Sequence, residues 1–273
     1  MRYVRDSGLI RKCLAFSCFL ALTAGTNTAL YGQTGQPIIK TSSGQGPSPV
    51  FIDATQFTGD ACQAISAAIG VMTTTGNGVV DARAFKGDQV CSVNMFGTTN
   101  PTGKLLLGNI VLHLGKTQVQ PPLFQVEGVG WALDGTSSNT VIRACVATDP
   151  NCGGFALGGS PPVLWCWGHS GTCGGGTGNI FGSFTQYVSF DCSALTNCIA
   201  MQALETQEGS GCWHCQFHGW GNSGIGLQIC NGLTNGCANS SFQDLYIVID
   251  SAASACTTSA VPAAVCLSSC GTP

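Results

Sequence analysis

The chain has 273 residues, of which only 8% are charged, with 38 glycines and 17 cysteines. Its formal charge is −3, and no Lys or Arg follows Arg143, although six carboxylates do. A surface so poor in cations excludes nucleic acid as a partner and disfavours anionic lipid and acidic polysaccharide.

The N-terminus reads as a secretory signal over residues 1–30. Arg2, Arg5, Arg11 and Lys12 form a basic stretch, residues 13–22 are an uncharged apolar run, and small residues follow. Ten apolar residues are too few to span a bilayer, so cleavage is expected between about residues 24 and 32, with an uncleaved anchor as the alternative. Removal leaves 6 basic against 12 acidic residues, a charge of −6. No later segment carries a long uninterrupted apolar run, so no membrane insertion is expected after processing. Residues 31–50 are rich in Gly, Pro, Ser and Gln and read as a flexible leader.

A domain over 51–273 follows. Asp60 can cap a helix over about 60–72 whose apolar positions Ile65, Ala68, Ile69 and Met72 recur at helical spacing. Gly76-Asn77-Gly78 ends it, and VVDARAF (79–85) starts a sheet. One amphipathic helix before many strands suits the open end of a stacked architecture, whose edge needs covering.

From Lys104 onward only strand-length segments appear: LLLGNIVLHL, FQVEGVGWAL, TVIRACV, FALGG and PVLWCW. Residues 150–180 read as a long excursion. Then one phrase repeats. YVSFDCS (187–193), CWHCQFHGW (212–220) and SFQDLYIVID (241–250) recur at a period in the twenties, with CIAMQAL and GIGLQIC between them. Strands recurring at that period, turning on Gly and Asn corners, predict an all-β solenoid with coils over about 79–250. The tail, 251–273, has no recognisable cap. It implies either a truncated chain or a knot using Cys256, Cys266 and Cys270.

Fifteen cysteines lie beyond the signal, and Cys145/Cys152, Cys166/Cys173, Cys230/Cys237 and Cys192/Cys198 recur at separations of seven or six. Export makes short disulfides the expected state, each stabilising by about 2–3 kcal/mol. Free thiols stacked in the interior are the alternative.

The segments GDACQAISAAI, GNGVVDARAF, LLLGNIVLHL, VEGVGWALDGTSSNTVI and QEGSGCWHCQFHGWGNSGIGL resemble the pectate-lyase superfamily over roughly residues 51–250. The resemblance implies a right-handed single-stranded parallel β-helix with an N-terminal helical cap. It also implies an extracellular carbohydrate-active protein whose substrate lies along one flat face. The superfamily includes polysaccharide lyases, inverting polygalacturonase-like hydrolases and tailspike depolymerases.

Strand alternation gives the outward positions. In CWHCQFHGW the expected inward set is Trp213, Cys215 and Phe217, leaving His214, Gln216, His218 and Trp220 outside. Tyr187, Ser189 and Asp191 in the preceding phrase, and Asp244, Tyr246 and Asp250 in the next, face out likewise. Asp191 and Asp244, two layers apart, would then lie about 9–10 Å from each other, at the upper edge of an inverting acid/base pair. The expected catalytic set is Asp191 and Asp244, with His214 or His218 tuning one of them and Glu208 (beside Glu205) as a corner acid. Trp220, Tyr246 and Gln216 are the expected substrate contacts. The bland alternative is a row of solvated polar residues.

No metal or cofactor is expected. In C-W-H-C-Q-F-H, Cys212 and Cys215 would face opposite sides of a strand and cannot share a zinc ion. The glycine-rich GVGWALDG and GGGTGN are followed by no Lys and open no helix, so no phosphate loop is expected. A β-eliminating lyase fits less well, since only Arg143 follows Lys116 in the coils, leaving His214 or His218 as base. Three functions therefore remain: a glycoside hydrolase on a neutral or weakly charged polysaccharide, a non-catalytic carbohydrate-binding or adhesin-like protein, and a polysaccharide lyase. Composition leaves the oligomeric state open.

Overall fold

The structure is a computed structural model, and it describes residues 50–130, 139–174, 179–195, 197–218, 224–229, 240–248 and 263–267. The signal, the leader up to residue 49 and Trp220 lie outside the described residues. So do Asp250 and the Cys230/Cys237 pair.

The described chain is β with one α-helix, and its strands assemble into three sheets. The first runs Val50–Asp53, Gly78–Ala82, Gly103–Leu107, Phe124–Glu127, Phe184–Gln186, Gly211–Trp213, Ser241–Gln243. The second runs Gly87–Cys91, Ile110–Leu114, Thr140–Ala144, Ser189–Asp191, Gln216–His218, Tyr246–Val248. The third pairs Gln118–Gln120 with Val163–His169, then adds Ile199–Ala203, Ile225–Ile229 and Ala263–Leu267. All these pairings are parallel; among the strands, the short Thr172–Cys173 alone runs antiparallel, against Val163–His169. From Phe184 onward the chain visits first, second and third sheets in turn, so strands from successive visits stack.

The sheets share one core. An aromatic file of Phe124, Phe96, Trp165, Phe190 and Phe217 threads it, with ring centroids 5.2–5.8 Å apart. Edge-on and stacked contacts at that spacing add to the apolar area buried. Gln120 sits inside as a polar hub. Its Oε1 accepts from Trp165 and Trp167 Nε1 and from Thr185 Oγ1, while its Nε2 donates to the Phe124 and Phe184 carbonyls. A buried amide is tolerated because every polar atom is matched.

The helix, α1, spans Ala61–Thr75 and begins as the sequence predicts. Asp60 accepts from Gln63 N at 3.0 Å, and the Gln63 side chain accepts from Asp60 N at 3.1 Å, a reciprocal cap. Ile65, Ala68, Ile69 and Met72 are buried. Two expectations shift. The helix is not the start of the fold, because Val50–Asp53 precedes it and pairs with Gly78–Ala82; the sheet begins before the helix, not at residue 79. LLLGNIVLHL is two strands in two sheets, broken at Gly108, where an added Cβ would meet the Arg83 carbonyl at 2.4 Å.

The three repeated phrases also break. Tyr187, His214 and Asp244 have φ of 57°, 51° and 50°, the left-handed region, and each turns the chain from the first sheet into the second. The alternation restarts across each corner, so the inward set near residue 214 is Cys212, Cys215 and Phe217, and Trp213 is half-buried. Cys212 and Cys215 therefore lie on one side and are bonded to each other, correcting the expectation that they diverge.

Five disulfides are present among the described residues. Cys145–Cys152, Cys166–Cys173 and Cys192–Cys198 follow the short spacings seen in the sequence. Cys62–Cys91, which ties α1 to the second sheet, joins residues far apart in sequence and has no local spacing signal. Among the described residues no helix is long and apolar enough to cross a membrane.

Candidate functional site

The outer face of the second sheet and the corner leading into it carry most of the expected site residues. Register fixes the rows. Ser189, Gln216 and Tyr246 align on adjacent strands, as do Arg143, Asp191, His218 and Val248. At the corner Tyr187, His214 and Asp244 form a third row. The stacking partners stay in register although the stretches of chain between them differ in length, and the long step from Arg143 to Asp191 absorbs the expected excursion.

Asp191 is the most constrained residue of the wall. It alternates with core Phe190, so it points outward, yet it is only 3% exposed. Arg143 Nε donates to its Oδ2 at 2.8 Å, Ser193 N donates to its Oδ1 at 2.9 Å, and His218 Nδ1 lies 3.5 Å from Oδ1. Burial alone would raise its pKa. The Ser193 hydrogen bonds and the Arg143 guanidinium outweigh that and hold the carboxyl below its ordinary value. An acid held down in this way is a charged anchor and not a proton donor.

His214 and Asp244 meet separately. His214 Nδ1 lies 3.4 Å from Asp244 Oδ2, and the His214 ring stacks on Tyr187 at 4.7 Å with the planes 4° apart. The two rings thus face each other and offer edges to solvent. Tyr246 is 52% exposed, more than the 37% of Tyr187. Gln216, 4% exposed, accepts from Ser189 Oγ at 3.1 Å.

The expected residues are therefore brought together as two Asp/His contacts, Asp191 with His218 and Asp244 with His214. Asp191 and Asp244 themselves stand apart. They differ by two layers and by four residues, Asp191 on the strand and Asp244 at the corner before it. The expected separation of about 9–10 Å assumed that Asp244 stacks over Asp191, two rungs away. Val248 occupies that place instead, because the corner consumes the extra residues. Glu208 is exposed, on the segment leading from the third sheet back to the first, and its backbone carbonyl accepts from Gly182 N at 3.2 Å. Its neighbour Glu205 is 6% exposed with φ 54°. Neither shares the wall with Asp191.

The sequence reading missed Arg143 as the partner of Asp191. It stood out only as the last cation, because the excursion separates it in sequence from a neighbour one strand away. On the first sheet, Lys104 Nζ pairs with Glu127, and Gln186 Nε2 donates to Glu127 Oε2 at 2.8 Å. Burial would raise Glu127, but these donors lower it; Asp81 is lowered chiefly by its hydrogen bond from Arg83. A cavity of about 570 Å³ near Asp53, Asp81, Arg83 and Lys86 adjoins this sheet. One group of possible metal ligands occurs among the described residues, His113 with Cys145 and Cys152.

No family model matches the chain, and neither a curated protein nor a solved structure matches it.

Proposed function

We propose that the chain is an exported, right-handed parallel β-helix that binds a neutral or weakly charged polysaccharide along the wall from the Tyr187–His214–Asp244 corner to Arg143, Asp191 and His218. Support for the helical winding comes from the cyclic visits to three parallel sheets, since parallel crossovers are right-handed in about 98% of cases. Support for export comes from the basic-then-apolar N-terminus and the five disulfides.

The observation that carries the binding reading is the composition of the aligned rows. An exposed phenol (Tyr246), an imidazole (His214) and a carboxylate (Asp244) lie beside buried, fixed groups (Asp191, Gln216), which suits sugar hydroxyls and an apolar sugar face. Asp244 does not stack over Asp191 as the inverting pair was expected to, and Asp191 is held ionised, so binding is favoured over hydrolysis. A panel of polysaccharides tested by titration calorimetry checks this. At least one neutral polymer should bind, and Tyr246→Ala should weaken it about tenfold, the worth of one ring contact. A panel that binds nowhere, or binds equally well to the variant, removes the wall from function.

One observation favours a catalytic reading. The Asp191 carboxylate lies 3.5 Å from His218 Nδ1, a charge that favours the imidazole as a general base, and Arg143 flanks Asp191 on the other side. His218 would then remove a proton, with Arg143 facing an acidic group of the sugar. Unsaturated product or new reducing ends that disappear in His218→Ala would establish it; neither appearing leaves binding alone.

A further inference from the structure

His113 lies on the outer face of the second sheet but is fully buried, because the segment after Thr140–Ala144 folds back over it. Cys145 begins that strap, Asp149 caps the turn Pro150–Cys152 by accepting from Asn151 N at 2.9 Å, and the Cys145–Cys152 bond closes it. Phe155 then packs on Gly115, where an added Cβ would lie 2.5 Å from the Phe155 Cβ.

The environment of the imidazole is one-sided. Its Nε2 lies 2.7 Å from Asp88 Oδ1, and an ionised carboxylate can only accept, so Nε2 carries a proton. Nδ1 is enclosed and has no hydrogen-bond partner. Asp149 Oδ2 lies 3.6 Å from it, and one ring nitrogen of His113 and the sulfurs of Cys145 and Cys152 lie within 4.8 Å of one another. Every one of these neighbours is an electron-pair donor. A buried nitrogen facing only such groups is costly unless a proton or a metal cation joins them.

We propose that this strap is a redox-gated zinc site. In the oxidised state the disulfide closes the loop. A dithiol reductant, itself becoming a disulfide, delivers two electrons and two protons, breaks the Cys145–Cys152 bond and leaves two thiols. Zn²⁺ then displaces the two thiol protons and is held by the Cys145 and Cys152 thiolates and His113 Nδ1, with the Asp149 carboxylate beside the imidazole. Two sulfurs and one nitrogen form a donor set suited to zinc and poorly suited to Ca²⁺ or Mg²⁺. Asp88 supplies the outer carboxylate that orients a ligating histidine. Disulfide and metal are thus alternative closures of one loop, and either keeps His113 covered.

The test uses the full-length protein, reduced anaerobically and alkylated with iodoacetamide in the presence and absence of Zn²⁺, with each cysteine followed by mass spectrometry. Zn²⁺ should slow alkylation of Cys145 and Cys152 at least about tenfold while leaving Cys166 and Cys173, a pair of equal spacing, unaffected. Co²⁺ in place of Zn²⁺ should give thiolate charge-transfer and tetrahedral ligand-field bands that Zn²⁺ abolishes. His113→Ala should remove both signals, and Asp88→Asn should lower metal affinity about 10–100-fold. Equal alkylation with and without Zn²⁺ in the wild-type chain overturns the proposal without depending on any variant's folding. Protection that survives His113→Ala overturns it as well.

Discussion

Asp191 and Asp244 are the same residue type on the same wall, yet their surroundings give them different weights. Asp191 is 3% exposed and accepts from Arg143 and Ser193, whereas the Asp244 side chain is 70% exposed and touches only His214 among the contacts seen. Replacing Asp191 by Asn keeps the shape but leaves the guanidinium without its counter-charge. Because Arg143 is about a third exposed, water recovers part of the loss, and the cost should be about 1–3 kcal/mol. Asp244→Asn should change stability by less than about 0.5 kcal/mol. Urea unfolding of both variants checks the contrast, and equal midpoints would mean that the Arg143–Asp191 pair contributes nothing. The sequence placed both aspartates outside, correctly for orientation, but it carried no measure of cover. Ser193 is a local partner of Asp191, but Arg143 is distant in sequence and reaches it only because their strands pair.

At the scale of elements, the helix and the strand segments were legible and the corners were not. The cap at Asp60 and the apolar spacing of α1 are local signals, and the structure realises both. The corners at Tyr187, His214 and Asp244 carry no glycine, so nothing in the sequence marks a left-handed residue there. Reading each phrase as one strand carried the alternation straight through the bend, which misplaced Trp213 and Cys212 and shifted the stacking of Asp244. Left-handed backbone costs a side-chain-bearing residue about 1–2 kcal/mol, least for Asn and most for β-branched residues. His214→Asn should therefore fold with little loss beyond the Tyr187 stack, and His214→Val should be less stable than His214→Asn by about 1–2 kcal/mol. Thermal denaturation of the pair measures this; a valine variant as stable as the asparagine variant would show that the corner is relaxed. The capping residue offers a second measurement. Asp60 also accepts from Ser92 N at 3.2 Å and from Ser92 Oγ, tying the helix start to the end of a second-sheet strand. Asp60→Ala should cost about 1–2 kcal/mol in urea unfolding, at the upper end for a cap. A loss of only a few tenths would mean that the Ser92 tie adds nothing.

At the scale of the molecule, charge is scarce, and most carboxylates that matter to folding are held by donors. Asp81, Glu127 and Asp191 all have lowered pKa values: Asp81 chiefly through Arg83, Glu127 and Asp191 through hydrogen bonds and cations that override burial. A carboxyl whose folded pKa lies below its unfolded value binds fewer protons folded than unfolded, so stability rises with pH through that interval. The contribution is fully present above the unfolded value, near 4, and is lost as pH falls through the folded value. Asp81 and Glu127 are about a third exposed, so solvent screens their pairs, and Asp191 should dominate the acid limb. The urea midpoint should accordingly stay level from neutral pH down to about 5 and then fall. In Asp191→Asn the neutral midpoint should be lower and the acid decline shallower, the two curves converging at low pH. Parallel curves would place the acid sensitivity elsewhere in the fold.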